Sequence, residues 1–347
     1  MPVVTQDGDE AGIRDDDLLP SQQMIRLLVG FIPARAIYAA VKIGLADEID
    51  STGSTTDELA QRLKVDARSL ERLLRVLSGL GVLRGERDGR FSLTELGRTL
   101  RAGSPTSIRD YALFVHEFLY ELFGGLAGAV ASGQPAVEVA FGLPLYTYLQ
   151  ENPNKASLFH SGLSNRGRIE ARAILDAYDF ADCHSVVDLG GGNGAFLSAI
   201  VAQHPNVSGV LVERPSAIEA ARAGRGGPLP RCEFIEGDFF QSVPSGGDAY
   251  VLKRVLVDHT DEKVLHILRN CLAAMRPGKK LLIIEPLGGA VNELSLARLM
   301  DLTYLLAGTG RVRSQEEHRS LLGDAGLRLR QCLPTQSDVS ILECVAA

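Results

Sequence analysis

From Asp182 onward the chain alternates short apolar runs with helical stretches, a rhythm that few folds satisfy. The runs are SVVDLG (185–190), SGVLVE (208–213), CEFIEG (232–237), DAYVLK (248–253) and KLLIIE (280–285), then RLRQCL (328–333) and SILECV (340–345). Runs this apolar are strands covered on both faces, and the helices between them supply the crossovers that parallel strands require. The expectation is an α/β fold with a parallel, doubly wound sheet that binds its ligand beyond the carboxyl ends of the strands.

The first strand runs into Asp188-Leu-Gly190-Gly-Gly192-Asn-Gly194, where glycines let the backbone turn sharply and approach a ligand. With Ala195 the loop also satisfies the dinucleotide pattern G-x-G-x-x-G/A, and Glu213, 19 residues after Gly194, suits a ribose in either reading. Asp188 favours the cationic end of a zwitterionic ligand and would repel a pyrophosphate. Asp238, in Gly237-Asp-Phe-Phe240, offers an acceptor for an adenine amino group, with Phe239 against the ring.

The front half is organised differently. Residues 1–20 are charged and read as a disordered tail. From Ser21 to about Ile49 apolar residues recur at helical spacing, with a kink expected at Pro33. The apolar run Leu27–Leu45 is broken by Pro33, Arg35 and Lys42, which predicts packing against another helix rather than a membrane span. Thr56-Asp57-Glu58 opens one helix, Asp66 caps a second carrying Leu70, Leu73, Leu74 and Leu77, and VLRGERDGRFSLT alternates around Asp88-Gly89 as a hairpin. Helix, helix, hairpin is a winged-helix pattern, and Arg68, Arg72 and Arg75 on the second helix keep duplex binding in view beside a packing or dimerisation role.

Charge weighs against nucleic acid: 36 Lys+Arg stand against 43 Asp+Glu in 347 residues, a net charge of -7. Five cysteines without a CxxC or Cys/His cluster read as buried apolar residues, reduced in a cytoplasmic protein with no metal site, and no signal peptide is evident at the N-terminus. Residues 105–180 read as helical and hold eleven of the twenty aromatic residues, enough to line a flat apolar pocket as well as to pack helices. The expected divisions are thus a tail (1–20), a winged-helix dimerisation domain (21–104), a helical pocket region (105–180) and a cofactor-binding domain (181–347).

VVDLGGGNG, GDFF, LKRVLVDHTDEKVLHILRNCLAAMRPG and AGTGRVRSQEEHRSLLGDAG together resemble the class I S-adenosylmethionine methyltransferases. More closely, they resemble the small-molecule O-methyltransferases with an N-terminal winged-helix dimerisation domain. The resemblance covers residues 20 to 346 and implies a Rossmann-like, seven-stranded sheet, S-adenosylmethionine as cofactor and a homodimer joined through N-terminal helices. It further implies that Gly190 and Gly192 face the methionine part, Glu213 the ribose hydroxyls, Asp238 and Phe239 the adenine, and that Lys253 lies against the cofactor; with Asp188 these are the expected cofactor-binding residues.

One register departs from that family. Its usual His-Asp-Trp, whose His deprotonates the acceptor hydroxyl, reads Val257-Asp258-His259 here. An orienting acid is retained as Glu285, whereas the other, in an Arg-Thr-Glu sequence, becomes Arg313-Ser314-Gln315. Valine takes no proton, and ionising a phenol of pKa about 10 at pH 7 costs roughly 4 kcal/mol.

Four explanations stand open: a nitrogen acceptor that needs no base, as in the phenazine N-methyltransferase branch that VEVAFGLPLYTYL resembles; an acidic hydroxyl, carboxylate or activated carbon; a displaced base at His259 or His116; or chemistry other than methyl transfer, hydroxylation or pericyclic. Asp258, His259 and Glu285 are the candidate catalytic residues. The acceptor pocket is expected from Phe114, His116, Phe118, Phe141, Tyr146, Phe159, Leu163, Asn165, Arg166, Val257, Met300 and Tyr304. No metal-ligand set is visible in the sequence.

Overall fold

A computed structural model of the chain describes residues 18–224, 226–308 and 310–347. The expected tail lies outside these residues as far as Asp17, and a helix already begins at Pro20. Contacts divide the chain into two units, one ending at Phe118 and one from Leu119 to Ala347.

In the first unit the helices Pro20–Leu28 and Phe31–Lys42 are separated by a turn at Val29–Gly30. The expected kink at Pro33 is corrected by this break. Pro33 occupies the first turn of the second helix, where the missing N–H has no intrahelical partner to lose. By length and composition alone the 23 residues Pro20–Lys42, with an 18-residue stretch of mean hydropathy 1.6, suffice to cross a bilayer, contrary to the sequence expectation. The turn leaves pieces of 9 and 12 residues, each short of the ~20 that a straight span requires. Met24, Ile25, Leu27, Leu28, Phe31 and Ile32 are exposed in the single chain instead of packing within it.

The winged-helix pattern is present in order. Strand β1 (Ser54–Thr55) leads into the helix Thr56–Leu63, which opens with a reciprocal Thr55–Glu58 capping box. In the helix Ala67–Gly79, Asp66 accepts from the Ser69 N–H at 2.8 Å, and Leu70, Leu74 and Leu77 are buried. Arg68, Arg72 and Arg75 face solvent, Arg75 in an ion pair with Glu71. Strands β2 (Leu83–Gly85) and β3 (Arg90–Leu93) pair antiparallel about a turn in which Gly89 has φ +81°, and β1 completes the sheet in the order β1-β3-β2.

The second unit holds the seven-stranded sheet. Its strands are β4 (Ser185–Leu189), β5 (Ser208–Glu213), β6 (Cys232–Glu236), β7 (Ala249–Lys253), β8 (Lys280–Glu285), β9 (Leu327–Pro334) and β10 (Ser340–Ala346). They lie in the order β6-β5-β4-β7-β8-β10-β9, with β10 antiparallel to its neighbours and the first five parallel. Burial on both faces explains the continuous apolar runs: Val186, Val187, Leu189, Val251, Leu252, Ile283 and Ile284 have at most 1% exposure. Truncating Leu189, Leu252, Ile283 or Ile284 to Ala would cost about 2–5 kcal/mol.

Register brings the carboxyl ends of β4, β5, β7 and β8 together, so Leu189, Glu213, Lys253 and Glu285 emerge at one edge. Because β10 runs the opposite way, with Ser340 opposite Glu285, the preceding turn delivers Asp338 to that same edge. All five cysteines are free thiols. Cys183, Cys271 and Cys344 are buried as expected, whereas Cys232 and Cys332 are only half-buried.

Candidate active site

At the end of β4, Asp188 is 1% exposed and both carboxyl oxygens are buried without a hydrogen-bond partner. Burial pushes its carboxyl up to about 7, against the nearby Lys253 ammonium, which lowers it. A buried acceptor with no donor is costly, and a ligand ammonium would satisfy it. Gly191 packs so closely on this carboxyl that any Cβ would collide with it, and Gly190, at φ +72°, brings the loop backbone against the Phe239 ring. Both constraints are met only by residues without a side chain. Asn193 donates to Ser164 Oγ at 3.2 Å and so fixes the loop to the helix Pro153–Ala177.

Glu213 ends β5 half-buried and accepts the Arg214 N–H at 2.6 Å, while Asp238 after β6 is exposed and accepts the Phe240 N–H at 2.9 Å. Asp188, Glu213, Phe239 and Lys253 therefore line one end of the sheet. Their groups match a ligand with an ammonium, a ribose diol and an aromatic base: the donor set of S-adenosylmethionine.

The turn after β7 carries the register that departs from the family. Val257 is 1% exposed and packs with Ala297, Val312 and Tyr304. Its N–H donates to Glu285 Oε1 at 2.9 Å. Its C=O accepts the Arg311 N–H at 2.9 Å. Arg313, with no exposed side-chain surface, donates to the carbonyls of Leu256 (2.9 Å) and His259 (2.6 Å) and pairs with Asp261. Five polar contacts thus hold this turn.

Burial pushes Glu285 up to about 7, and its Oε2 lies 3.9 Å from Nε2 of His318, which burial lowers to about 4. Asp258 is open to solvent, yet protein encloses it closely enough that desolvation raises its carboxyl to about 6, with Arg254 acting in the opposite sense. The His259 ring stands edge-on to Phe239 (6.3 Å) and Phe240 (5.2 Å), and burial lowers its pKa. Gln315, at the position of the lost acid, is exposed in the first turn of the helix Gln315–Asp324.

Two protein-family models match the chain: the O-methyltransferase dimerisation domain over residues 25–103 and the O-methyltransferase domain over residues 123–328. The chain belongs to this O-methyltransferase family. Phenazine O-methyltransferase PhzM of Lysobacter antibioticus is 33% identical over 325 residues, covering 93% of this chain and 95% of that protein. Phenazine-1-carboxylate N-methyltransferase of Pseudomonas aeruginosa is 30% identical over 340 residues, covering 96% and 100%. The crystal structure of CalO1, a methyltransferase in calicheamicin biosynthesis with S-adenosylhomocysteine bound, superimposes with a TM-score of 0.87 at 32% identity, covering 95% of this chain and 100% of that one. The protein is an S-adenosylmethionine-dependent methyltransferase of small molecules and a homodimer.

The structure sorts the methyltransferase's expected pocket residues. Phe114 and Phe118, in the first unit, are buried and stack at 5.7 Å, and His116 lies 5.0 Å from the Tyr38 ring. In the second unit Phe141 stacks on Tyr148 at 4.1 Å, Tyr146 is exposed beneath the Arg214 guanidinium, Phe159 and Asn165 are buried and Leu163 is exposed. Arg166 is engaged by Glu170 and Asp338, with its Nη1 4.0 Å from Met300 Sδ. Tyr304 accepts from Arg254 at 3.2 Å. These last residues, together with Val257, form one contiguous group.

Sequence reasoning missed Glu170, Arg254, Arg313, His318 and Asp338. The Arg166–Glu170 spacing of four on a helix was a readable signal. The others meet only through the sheet's carboxyl edge.

Proposed function

We propose that this methyltransferase acts on a small aromatic or heteroaromatic natural-product intermediate, transferring methyl to a nitrogen or an acidic oxygen largely by proximity. One observation carries the reading: the residue at the family's base position is Val257, buried and without an ionisable group. The relatives named for phenazine O- and N-methylation support an aromatic acceptor and leave both atoms open.

When bound, S-adenosylmethionine supplies an electrophilic sulfonium methyl. Asp188 holds its ammonium, Gly190 and Gly192 allow close approach of the loop, Glu213 takes the ribose hydroxyls, and Asp238 with Phe239 takes the adenine. Lys253 lies against the same ligand. On the acceptor side Val257, Met300 and Tyr304 form an apolar and aromatic wall that excludes water and aligns the nucleophile. A neutral aromatic nitrogen presents its lone pair without deprotonation, so alignment suffices.

Glu285 holds the Val257 turn rather than a catalytic imidazole, and His259 serves as an edge-on packing partner of Phe239 and Phe240. Asp258 is the ionisable group nearest Val257 in sequence that remains open to solvent, suited to collect a proton released after transfer. The five free thiols support a cytoplasmic location.

The test is incubation with methyl-labelled cofactor and a panel of phenols, N-heterocycles and aromatic carboxylates, read by mass spectrometry. Label on N-heterocycles or acidic hydroxyls is expected. Preferential labelling of unactivated phenols would overturn the proximity mechanism.

A further inference from the structure

Glu170 lies outside both the glycine loop and the Val257 turn, on the helix Pro153–Ala177, and is 2% exposed. Its carboxylate is the common partner of three cations: Arg166 Nε at 2.8 Å, Lys253 Nζ at 3.3 Å and Arg254 Nη2 at 2.7 Å. Burial pushes this carboxyl up, but Lys253, Arg254 and Arg166 outweigh burial and hold it at about 2. Asp338 closes the group from the β9–β10 turn, 2.8 Å from Arg254 and in contact with Arg166.

Lys253 and Arg254 are consecutive, and consecutive residues of an extended strand point to opposite faces. Here both reach the same carboxylate. Arg254 has φ +54°, a left-handed conformation uncommon for a residue with a side chain, and that turn returns it to the Lys253 side. Strain of this kind persists only where surrounding contacts enforce it. Lys253 acts on Asp188 at the donor end, and Arg254 reaches Tyr304 and acts on Asp258 at the acceptor end. One buried carboxylate therefore sits between the two halves of the site.

We propose that Glu170 is a positioning residue of the methyltransferase: it fixes Lys253 toward the donor and Arg254 toward the acceptor wall and so sets the two halves of the site in register. This rests on the reading that Lys253 lies against the donor. Without Glu170 the three cations repel one another and lose their shared acceptor, so both ends relax together.

The experiment is calorimetric titration of the full-length homodimer with S-adenosylhomocysteine, with circular dichroism to establish that each variant is folded. Glu170→Gln and Lys253→Met are each expected to weaken binding about tenfold, the double variant to be no weaker than the worse single, and Glu170→Asp to recover part of the loss. A folded Glu170→Gln protein with unchanged affinity, while Lys253→Met is weakened, overturns the role of Glu170 and leaves the reading of Lys253 intact. Unchanged affinity in Lys253→Met, with Glu213→Ala weakened, removes that reading and the proposal with it. Should Glu170→Gln fail to fold, Glu170→Asp decides: its binding weakens if the proposal holds, and unchanged binding overturns it.

Discussion

The Glu285 carboxylate accepts the backbone N–H of Val257 at 2.9 Å, so an acid that the family pattern directs at a catalytic imidazole here binds the main chain of the residue that replaces it. That bond explains how an acid with under 2% exposure persists at the end of β8 without its usual partner. It also yields a direct test of the missing base.

Val257→His restores an imidazole above Glu285. For an acceptor methylated by proximity, turnover measured with labelled cofactor should stay within about threefold of the parent. Placing a larger polar ring in this apolar cluster should lower stability by about 1–3 kcal/mol, read by denaturant titration. A large gain on phenols would instead mark an O-methyltransferase limited by its base.

Asp188 contributes stability that is lost as pH rises. Its folded carboxyl titrates near 7 against an ordinary value of 3.8, so between those values the folded chain keeps a proton that the unfolded chain has released. The Asp188 contribution therefore declines through that window and is flat above it, by about 4 kcal/mol at 1.36 kcal/mol per unit. Glu285 acts in the same direction between 4.5 and about 7, and His318, lowered from 6.5 to about 4, acts in the opposite one. Asp188→Asn should accordingly raise the melting temperature relative to the parent more at pH 8 than at pH 4, while weakening S-adenosylmethionine binding. Equal shifts at both pH values would refute the assignment.

Donor recognition should depend on the acids that end β5 and follow β6. Glu213→Ala and Asp238→Ala are each expected to weaken S-adenosylhomocysteine by about tenfold or more in calorimetry, as loss of a hydrogen bond to a charged group does. Neither should shift the melting temperature of the ligand-free protein by more than a few degrees, because both side chains retain solvent access.

Arg313 is expected to carry far more stability than Arg311. Arg313→Met strands the carbonyls of Leu256 and His259, at a cost of about 2–5 kcal/mol. Arg311 is 41% exposed and solvent screens its ion pairs, so Arg311→Gln should cost less than about 1 kcal/mol. Chemical denaturation of the two variants side by side distinguishes a clamp from a surface network.

The exposed apolar face of the first two helices is the expected seat of self-association. Leu27 and Leu28 are 73% and 68% exposed in the single chain, a large unpartnered surface within the dimerisation-domain match. Leu27→Lys with Leu28→Lys should shift the protein toward monomer in analytical ultracentrifugation, and an unshifted dimer would place the interface elsewhere.

The sequence by itself determined the strand order of appearance, the glycine loop, the helix opening at Thr56 and the cap at Asp66, and the absence of a base at 257, because each is written in neighbouring residues: a run, a spacing, a cap. Glu213, Asp238 and Lys253 were legible for the same reason, as residues at or just past the ends of readable strands. Only the tertiary structure decided that Glu170, Arg254 and Asp338 form one group, since Arg254 lies 84 positions from each partner and meets them only when antiparallel β10 returns the chain to the carboxyl edge. The left-handed turn at Arg254 and the clamp of Arg313 on Leu256 and His259 left no local mark either. Backbone strain and carbonyl partners are properties of packed neighbours, and periodicity reports only which face of an element is buried, not which distant charge it meets there.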